Sequence, residues 1–180
     1  MQLLIKNIKL SMAVFIVSIV SACSSPSVND YMDNMPNFDV LNFFNGKLEA
    51  KGVVIDRSGL VTRRFNVKML GTLRRRELTL QEWFDFDDGE KTQRTWVITK
   101  NSDGSYTGSA DDIVGSATGE SAGMALRWDY EMDLAVDGRV YRVLFDDWLY
   151  RIDEKNVINR SVIKKWGFNV GEVILSIRKI

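Results

Sequence analysis

Residues 126–134 alternate strictly between apolar and charged side chains, and this pattern constrains the fold more than any other feature of the sequence. Every even position in the segment is apolar and every odd position is charged. Successive side chains of a strand point to opposite faces, whereas a helix repeats every 3.6 residues. The segment therefore predicts a β-strand with one dry face and one wet face.

Similar alternation returns along most of the chain after Gly46, and turn signals separate the alternating segments. The clearest of these signals are Asp88-Gly89, Asp103-Gly104 and Asp137-Gly138. Asp-Gly favours tight hairpins because glycine accepts a positive φ without steric cost. No segment after Phe44 has helical periodicity. The sequence thus predicts an all-β domain of about 8–10 antiparallel strands.

Strands with one dry face must either close on themselves or pack as two sheets. The connections are of hairpin length, so we predict an up-and-down, lipocalin-like β-barrel, with a two-sheet sandwich as the alternative. Gly108, Gly115, Gly119 and Gly123 cluster where a barrel needs bulges to bend. Before the first strand, an apolar cluster predicts a short helix or turn that plugs one end of the barrel: Phe38, Leu41, Phe43 and Phe44.

The N-terminus has the features of an export signal. Lys6 and Lys9 precede an apolar run over residues 10–20, and Ser21-Ala22 provides small residues before Cys23, the only cysteine. A transmembrane helix is the alternative, but the run is shorter than the roughly 20 residues that cross a bilayer. Residues 1–22 therefore resemble a bacterial lipoprotein signal peptide.

In lipoproteins of this kind the cysteine becomes an acylated N-terminus. Three acyl chains on Cys23 would anchor the protein stably, because two already suffice. Ser24 follows the cysteine in place of the aspartate that favours inner-membrane retention. The resemblance implies an outer-membrane anchor with the protein facing the periplasm. Residues 23–36, with their small polar composition, predict a flexible tether, and residues 37–180 predict a single barrel domain.

Charge and residue types exclude several functions. Removal of residues 1–22 leaves 22 basic against 24 acidic residues, and this balance argues against a nucleic-acid partner. The chain has no histidine, which removes the usual catalytic bases and zinc ligands. The acidic turn formed by Asp85, Asp87, Asp88 and Glu90 could hold calcium, but its spacing favours a solvated hairpin. We predict no metal, no cofactor and no enzymatic activity.

Five charged residues interrupt apolar faces at positions that the alternation directs inward: Arg63, Glu82, Arg94, Asp147 and Arg160. Because an unpaired buried charge is costly, we predict that the two acids pair with the arginines inside the barrel. The surplus arginine would then be available to an anionic head group. The alternatives are a purely structural network, or bulges that turn some of these residues outward.

Six aromatic residues share the inward faces and could line a lipid pocket: Phe84, Trp96, Trp128, Tyr130, Tyr141 and Phe145. Aromatic residues at alternating strand positions are otherwise ordinary core residues.

Several short motifs occur in an order and spacing that resemble a known family. They are Phe44-Asn45-Gly46, Asp88-Gly89 with Arg94-Thr95-Trp96, the segment 108–115, the segment 145–150, Asn159-Arg160, and Gly167 with Gly171-Glu172. Together they are similar to the bacterial lipoproteins of the family of unknown function DUF3833. The resemblance covers nearly the whole mature chain, including Cys23. It implies a periplasmic or outer-membrane lipoprotein and supplies no catalytic residue.

The predicted function is non-enzymatic binding or transport of a lipid, such as a fatty acid, or of another apolar molecule in the barrel lumen. One alternative is an envelope assembly or interaction protein whose barrel is filled by side chains. A second alternative is a hydrolase that acts through Glu82 or Asp147.

Overall fold

A computed structural model describes residues 25–136 and 138–180, so the predicted signal peptide and Cys23 lie outside the described residues. A 3-10 helix spans Val28–Tyr31 and α1 spans Val40–Phe44. The strands are β1 (Gly46–Asp56), β2 (Val61–Arg74), β3 (Glu77–Phe86), β4 (Lys91–Lys100), β5 (Tyr106–Ser109), β6 (Ile113–Ala122), β7 (Ala125–Val136), β8 (Arg139–Arg151), β9 (Asn156–Lys165) and β10 (Phe168–Lys179).

The ten strands form one closed antiparallel barrel, which confirms the predicted fold. Each strand pairs with its neighbours in sequence, and β1 closes the barrel against β10 through pairs such as Ala50 with Ile177. Every strand therefore has a hydrogen-bonded neighbour on both sides, although the short β5 pairs with only residues 97–100 of β4. The alternation in β7 has the predicted result: Trp128, Tyr130 and Met132 are buried inside, and the charged residues between them face outward.

Trp128 explains two of the clustered glycines. A Cβ atom on Gly108 would lie 2.4 Å from the Trp128 ring, and one on Gly119 would lie 2.2 Å from it. The indole therefore packs flat against the backbone of β5 and β6. Gly115, with φ at 72°, lies where the pairing of β6 with β7 shifts register between Val114 and Thr118. This bulge agrees with the role predicted for the cluster.

Helix α1 closes one end of the barrel, which we call the plugged end. Its residues Val40, Leu41, Phe43 and Phe44 are buried. The amide of Leu73 on β2 donates to Asn45 Oδ1, while Lys179 Nζ on β10 donates to the Asn42 and Phe43 carbonyl oxygens. These bonds tie the helix to separate parts of the rim. The apolar cluster before the first strand is thus a plug, as the sequence predicts.

The opposite end, which we call the mouth, carries the turns β1–β2, β3–β4, β5–β6, β7–β8 and β9–β10. Large apolar side chains at these turns are exposed; the most exposed are Trp166 at 87% and Phe168 at 74%, with Leu60, Val61 and Val140 on other turns. We call these five residues the mouth rim.

Residues 27–36 pack on the barrel, which differs from the flexible tether that their composition predicts. The Ser27 hydroxyl caps the 3-10 helix, and Val28 is buried. The Tyr31 ring lies 5.9 Å from the Trp148 ring and 5.6 Å from the Tyr150 ring, measured between centroids. A few apolar contacts with the outer wall are therefore enough to hold this polar segment.

Candidate functional site

The interior of the barrel is not filled and contains a cavity of about 460 Å³. This volume lies within the roughly 300–1,000 Å³ typical of small-molecule sites. Side chains from β1–β4 and β7–β10 form the walls, while Val40 and Phe44 of α1 form the floor. At the mouth the cavity reaches Phe86 and Val136, and Val136 is itself exposed. The lumen is therefore a pocket that is closed at the plugged end.

Aromatic rings form much of the wall and pack on one another. The Trp96 ring lies 5.7 Å from the Trp128 ring and 5.3 Å from the Tyr130 ring, both edge to face. Tyr130 stacks on Phe145 at 5.0 Å. Phe84 also lines the lumen, so five of the six predicted aromatic residues are found there.

Tyr141 is the exception among the predicted aromatic residues. It lies toward the mouth end of β8, paired with Leu134, and is only partly buried. The Lys165 ammonium lies 3.6 Å above its ring. Tyr141 packs against the core but does not line the cavity.

Four of the five predicted charges line the cavity: Glu82, Arg94 and Asp147 in the lumen, and Arg63 at its mouth. The Arg94 guanidinium binds Asp112 at 2.7 Å, and its side chain is 19% exposed. The Arg94 charge also acts to lower the pKa of Glu82, which lies opposite Arg94 on β3, and the pKa of the Tyr130 hydroxyl. Burial and the charge of Asp147 raise the pKa of Tyr130 well above its ordinary value. The polar groups of the lumen thus meet around Tyr130.

Both lumen carboxyl groups have raised pKa values. Burial raises the pKa of Glu82 from 4.5 to about 7, although the Arg94 charge opposes the shift. Burial likewise raises the pKa of Asp147 from 3.8 to about 7, against the influence of the Ser161 hydroxyl and of Arg94. Glu82 is half-buried, and it lines the lumen. Each carboxyl can therefore exist in either protonation state near neutral pH.

Asp147 also has an unsatisfied acceptor. Its side chain is directed inward from β8, the residue is 8% exposed, and its Oδ1 atom has no hydrogen-bond partner among the described residues. Two other buried side-chain atoms of the described residues also lack a partner, Arg63 Nε at the mouth and the Tyr106 hydroxyl. Buried polar atoms are nearly always hydrogen-bonded, so an unpartnered carboxylate oxygen in a cavity wall requires an explanation.

The inward placement of Arg160 is wrong. Arg160 lies on the outer face of β9, where its Nε and Nη2 atoms bind the two Glu172 carboxylate oxygens at 3.0 and 2.9 Å. The inward residues of β9 are Val157, Asn159, Ser161 and Ile163. Apolar residues lie on both faces of this strand. The pairing with β8 turns the odd-numbered residues inward, whereas the prediction had the even-numbered ones inward.

Arg63 belongs to the mouth, not to the deep lumen. Its guanidinium binds Asp88 at 2.7 Å and Glu90 at 2.8 Å and lies 3.8 Å above the Phe86 ring. The predicted surplus arginine is therefore absent. Arg63 and Arg94 line the cavity, and each is already bound to acidic residues.

Asn159 and Ser161 line the lumen and were not singled out from the sequence. Both are buried, and the Ser161 hydroxyl donates to Asn159 Oδ1 at 3.3 Å. Ser161 is also the cross-strand partner of Asp147. Asn159 and Ser161 alternate in step with the apolar residues Val157 and Ile163, which indicates the inward face. Ile158 and Val162 form an equally apolar set on the other face, so the sequence does not show which set faces inward.

The acidic residues of the β3–β4 turn at the mouth form ion pairs with arginines of β2. Arg63 binds Asp88 and Glu90, and Arg64 Nε binds Asp87 at 2.9 Å. Within residues 25–136 and 138–180, no group of three acidic, cysteine or histidine side chains is arranged to hold a metal ion. The two described helices are each too short to cross a bilayer.

Comparison with known proteins supports the fold and the family. No curated protein matches the chain. A crystal structure of a protein of unknown function from the DUF3598 family of Nostoc punctiforme PCC 73102 superposes with a TM-score of 0.55 at 13% identity. The alignment covers 88% of this chain and 53% of that protein, so the chain spans about half its length. This likeness concerns the fold alone. Residues 17–179 match the family described as protein of unknown function (DUF3833), and the chain therefore belongs to that family.

Proposed function

We propose that this protein is an acylated envelope lipoprotein that binds an apolar or amphiphilic molecule in its barrel lumen without chemically changing it. The observation that carries the proposal is the cavity of about 460 Å³ with walls of aromatic and aliphatic side chains. A barrel that served only as a rigid scaffold would gain stability by filling this space, because core cavities are destabilising.

The lipid anchor is the second part of the proposal. It rests on the apolar run at residues 10–20, the Ser21-Ala22 pair and the single Cys23. Ser24 supports attachment to the outer membrane, with the barrel facing the periplasm. An anchored carrier would stay close to the bilayers from which an amphiphile comes.

A matched pair of tryptophan variants tests the binding role. Val173 lines the lumen, whereas its neighbour Ile174 is exposed on the outer wall. Val173→Trp should fill the cavity, and Ile174→Trp should add the same side chain outside. We expect native mass spectrometry of the full acylated chain to detect one envelope lipid per wild-type or Ile174→Trp molecule and at least tenfold less on Val173→Trp. Circular dichroism would verify that both variants fold. Absence of bound amphiphile from the wild type, even after incubation with envelope lipids, would overturn the binding role.

The anchor has a separate test. Cys23→Ser should abolish incorporation of labelled palmitate, whereas Ser24→Asp should keep the label and shift the protein to the inner-membrane fraction. Equal labelling of the wild type and Cys23→Ser would overturn the lipoprotein assignment.

The mouth rim favours a second candidate function, attachment to a partner in the envelope. Trp166 and Phe168 form part of this rim and are more than 70% exposed, and clustered exposed apolar residues mark interaction surfaces. If binding to an envelope protein survives in Val173→Trp but is lost when these two residues become serine, the interaction role is favoured over the carrier role.

A further inference from the structure

The polar part of the lumen indicates which head group a bound molecule would carry. The inference rests on the proposed binding function and adds the chemical class of the ligand. Three observations bear on it: an unpartnered acceptor, an imbalance of charge, and an array of aromatic rings.

The unpartnered acceptor is Asp147 Oδ1. Asp147 is 8% exposed and lines the cavity, and the described residues offer this oxygen no donor. The neighbouring Ser161 hydroxyl has a single proton, which it donates to Asn159 Oδ1 at 3.3 Å, although the same hydroxyl also lowers the pKa of Asp147. A ligand that donates a hydrogen bond to Asp147 would complete the site, whereas a carboxylate or phosphate head could only accept.

The charge imbalance disfavours an anion. Arg94 is bound to Asp112, so its charge is already matched. Glu82 and Asp147 feel the Arg94 charge, but neither forms an ion pair of its own among the described residues. An anionic head group in the lumen would add charge of the same sign as these two acids, whereas a cationic head group would offset it. Both groups can take up or lose a proton near pH 7, because burial raises the pKa of each to about 7.

The aromatic rings around these acids suit a cation as well. The Trp96 ring lies within 6 Å of both the Trp128 ring and the Tyr130 ring, and Phe145 stacks on Tyr130. Aromatic faces attract ammonium groups, and the attraction is strongest where water is excluded.

We propose that the lumen selects an amphiphile with an ammonium head group, held by the carboxyl groups of Asp147 and Glu82 and by the surrounding aromatic rings. The apolar chain would extend along the aliphatic wall. This differs from the fatty-acid ligand suggested by the sequence, which relied on a surplus arginine that the lumen does not contain.

Three probes with the same twelve-carbon chain test the head group: dodecylamine, dodecanol and dodecanoic acid. Binding to the full acylated chain in a non-ionic detergent would be measured by native mass spectrometry at pH 8. We expect dodecylamine to reach half occupancy, one molecule per chain, at a concentration at least tenfold lower than either other probe. Asp147→Asn and Glu82→Gln should each reduce that preference at least fivefold and change dodecanol binding less than twofold.

Glu131→Gln provides the matched control, because Glu131 is exposed on the outer face of β7 beside Tyr130. If it lowers dodecylamine binding as much as Asp147→Asn does, the preference reflects bulk charge and the inference is overturned. Equal or tighter binding of dodecanol or dodecanoic acid would overturn the head-group inference and leave lumen binding intact. Failure of all three probes to bind would count against the proposed function itself.

Discussion

Glu82 lies directly opposite Arg94 in the pairing of β3 with β4, yet the Arg94 guanidinium forms its ion pair with Asp112. Glu82, although it lies opposite the arginine, therefore forms no ion pair among the described residues. Together with Asp147 it gives the lumen two carboxyl groups whose protonation is decided by burial.

These two carboxyl groups should make the empty protein more stable at pH 5 than at pH 8. Their pKa values are raised to about 7 in the folded state, so between about pH 4 and pH 7 the folded chain binds more protons than the unfolded chain. The free energy of unfolding then falls as the pH rises through this window, by about 3 kcal/mol for each group. Urea denaturation at several pH values measures this slope.

The double variant Glu82→Gln, Asp147→Asn provides the control for that slope. It should flatten the dependence between pH 5 and pH 8 and be more stable than the wild type at pH 8. An unchanged slope would contradict the assignment of the two groups.

Arg94→Gln should destabilise the protein more than Asp112→Asn does. The Arg94 side chain is 19% exposed, whereas that of Asp112 is 46% exposed. Loss of the arginine removes the charge that opposes the raised pKa of Glu82, and we expect a cost of about 2 kcal/mol. Loss of Asp112 should cost less than about 1 kcal/mol, because Glu82 lies opposite Arg94 and can ionise in place of Asp112 to balance the arginine charge. Denaturation at pH 7 compares the two, and the reverse order would contradict the buried position of Arg94.

Gly108→Ala should destabilise the barrel by about 1–3 kcal/mol, because the new methyl group would overlap the Trp128 ring. Ser109→Ala, at the exposed neighbouring position, should be nearly neutral. Adding Trp128→Phe to Gly108→Ala should recover part of the loss, since the smaller ring leaves room for the methyl group. Additive costs in the double variant would argue against this contact.

Tyr31→Ala should release the segment before α1 from the barrel wall. The substitution removes two aromatic contacts, with Trp148 and Tyr150, at a cost of about 1 kcal/mol. Limited proteolysis should then cut within residues 25–36 faster than in the wild type. Met32→Ala is the control, because Met32 is 61% exposed, and equal cleavage of both variants would contradict the docking.

Serine at both Trp166 and Phe168 should leave stability within about 0.5 kcal/mol of the wild type, because both side chains are exposed. Uptake of a fluorescent amphiphile from vesicles should nevertheless slow if the mouth rim contacts the donor bilayer. Ile152→Ser changes an exposed residue at the β8–β9 turn of the plugged end and should leave uptake unchanged. Equal rates in all three proteins would show that the rim has no part in loading.

The barrel could be predicted because the alternation within each strand and the turn residues between strands can be read from short segments of the sequence. In β7 every apolar residue has one parity and every charged residue the other, so the burial of Trp128 and Tyr130 follows from the sequence alone. The short connections then leave few topologies other than a meander that closes.

The failures arose where local pattern is ambiguous and long-range pairing decides. In β9, Ile158 and Val162 alternate as well as Val157 and Ile163 do, and only the pairing of Asp147 with Ser161 fixes which set faces inward. Arg160 therefore faces solvent. Residues 27–36 have a composition typical of a linker, and their docking depends on rings of β8 that are more than 100 residues away in sequence.

The helical plug leaves no passage along the axis of the barrel from one end to the other. With α1 seated against the strand ends, a guest of the proposed kind would have to leave by the opening through which it arrived. The protein would then serve as a container loaded and emptied at a single doorway, not as a conduit, and donor and acceptor would have to visit that doorway in turn.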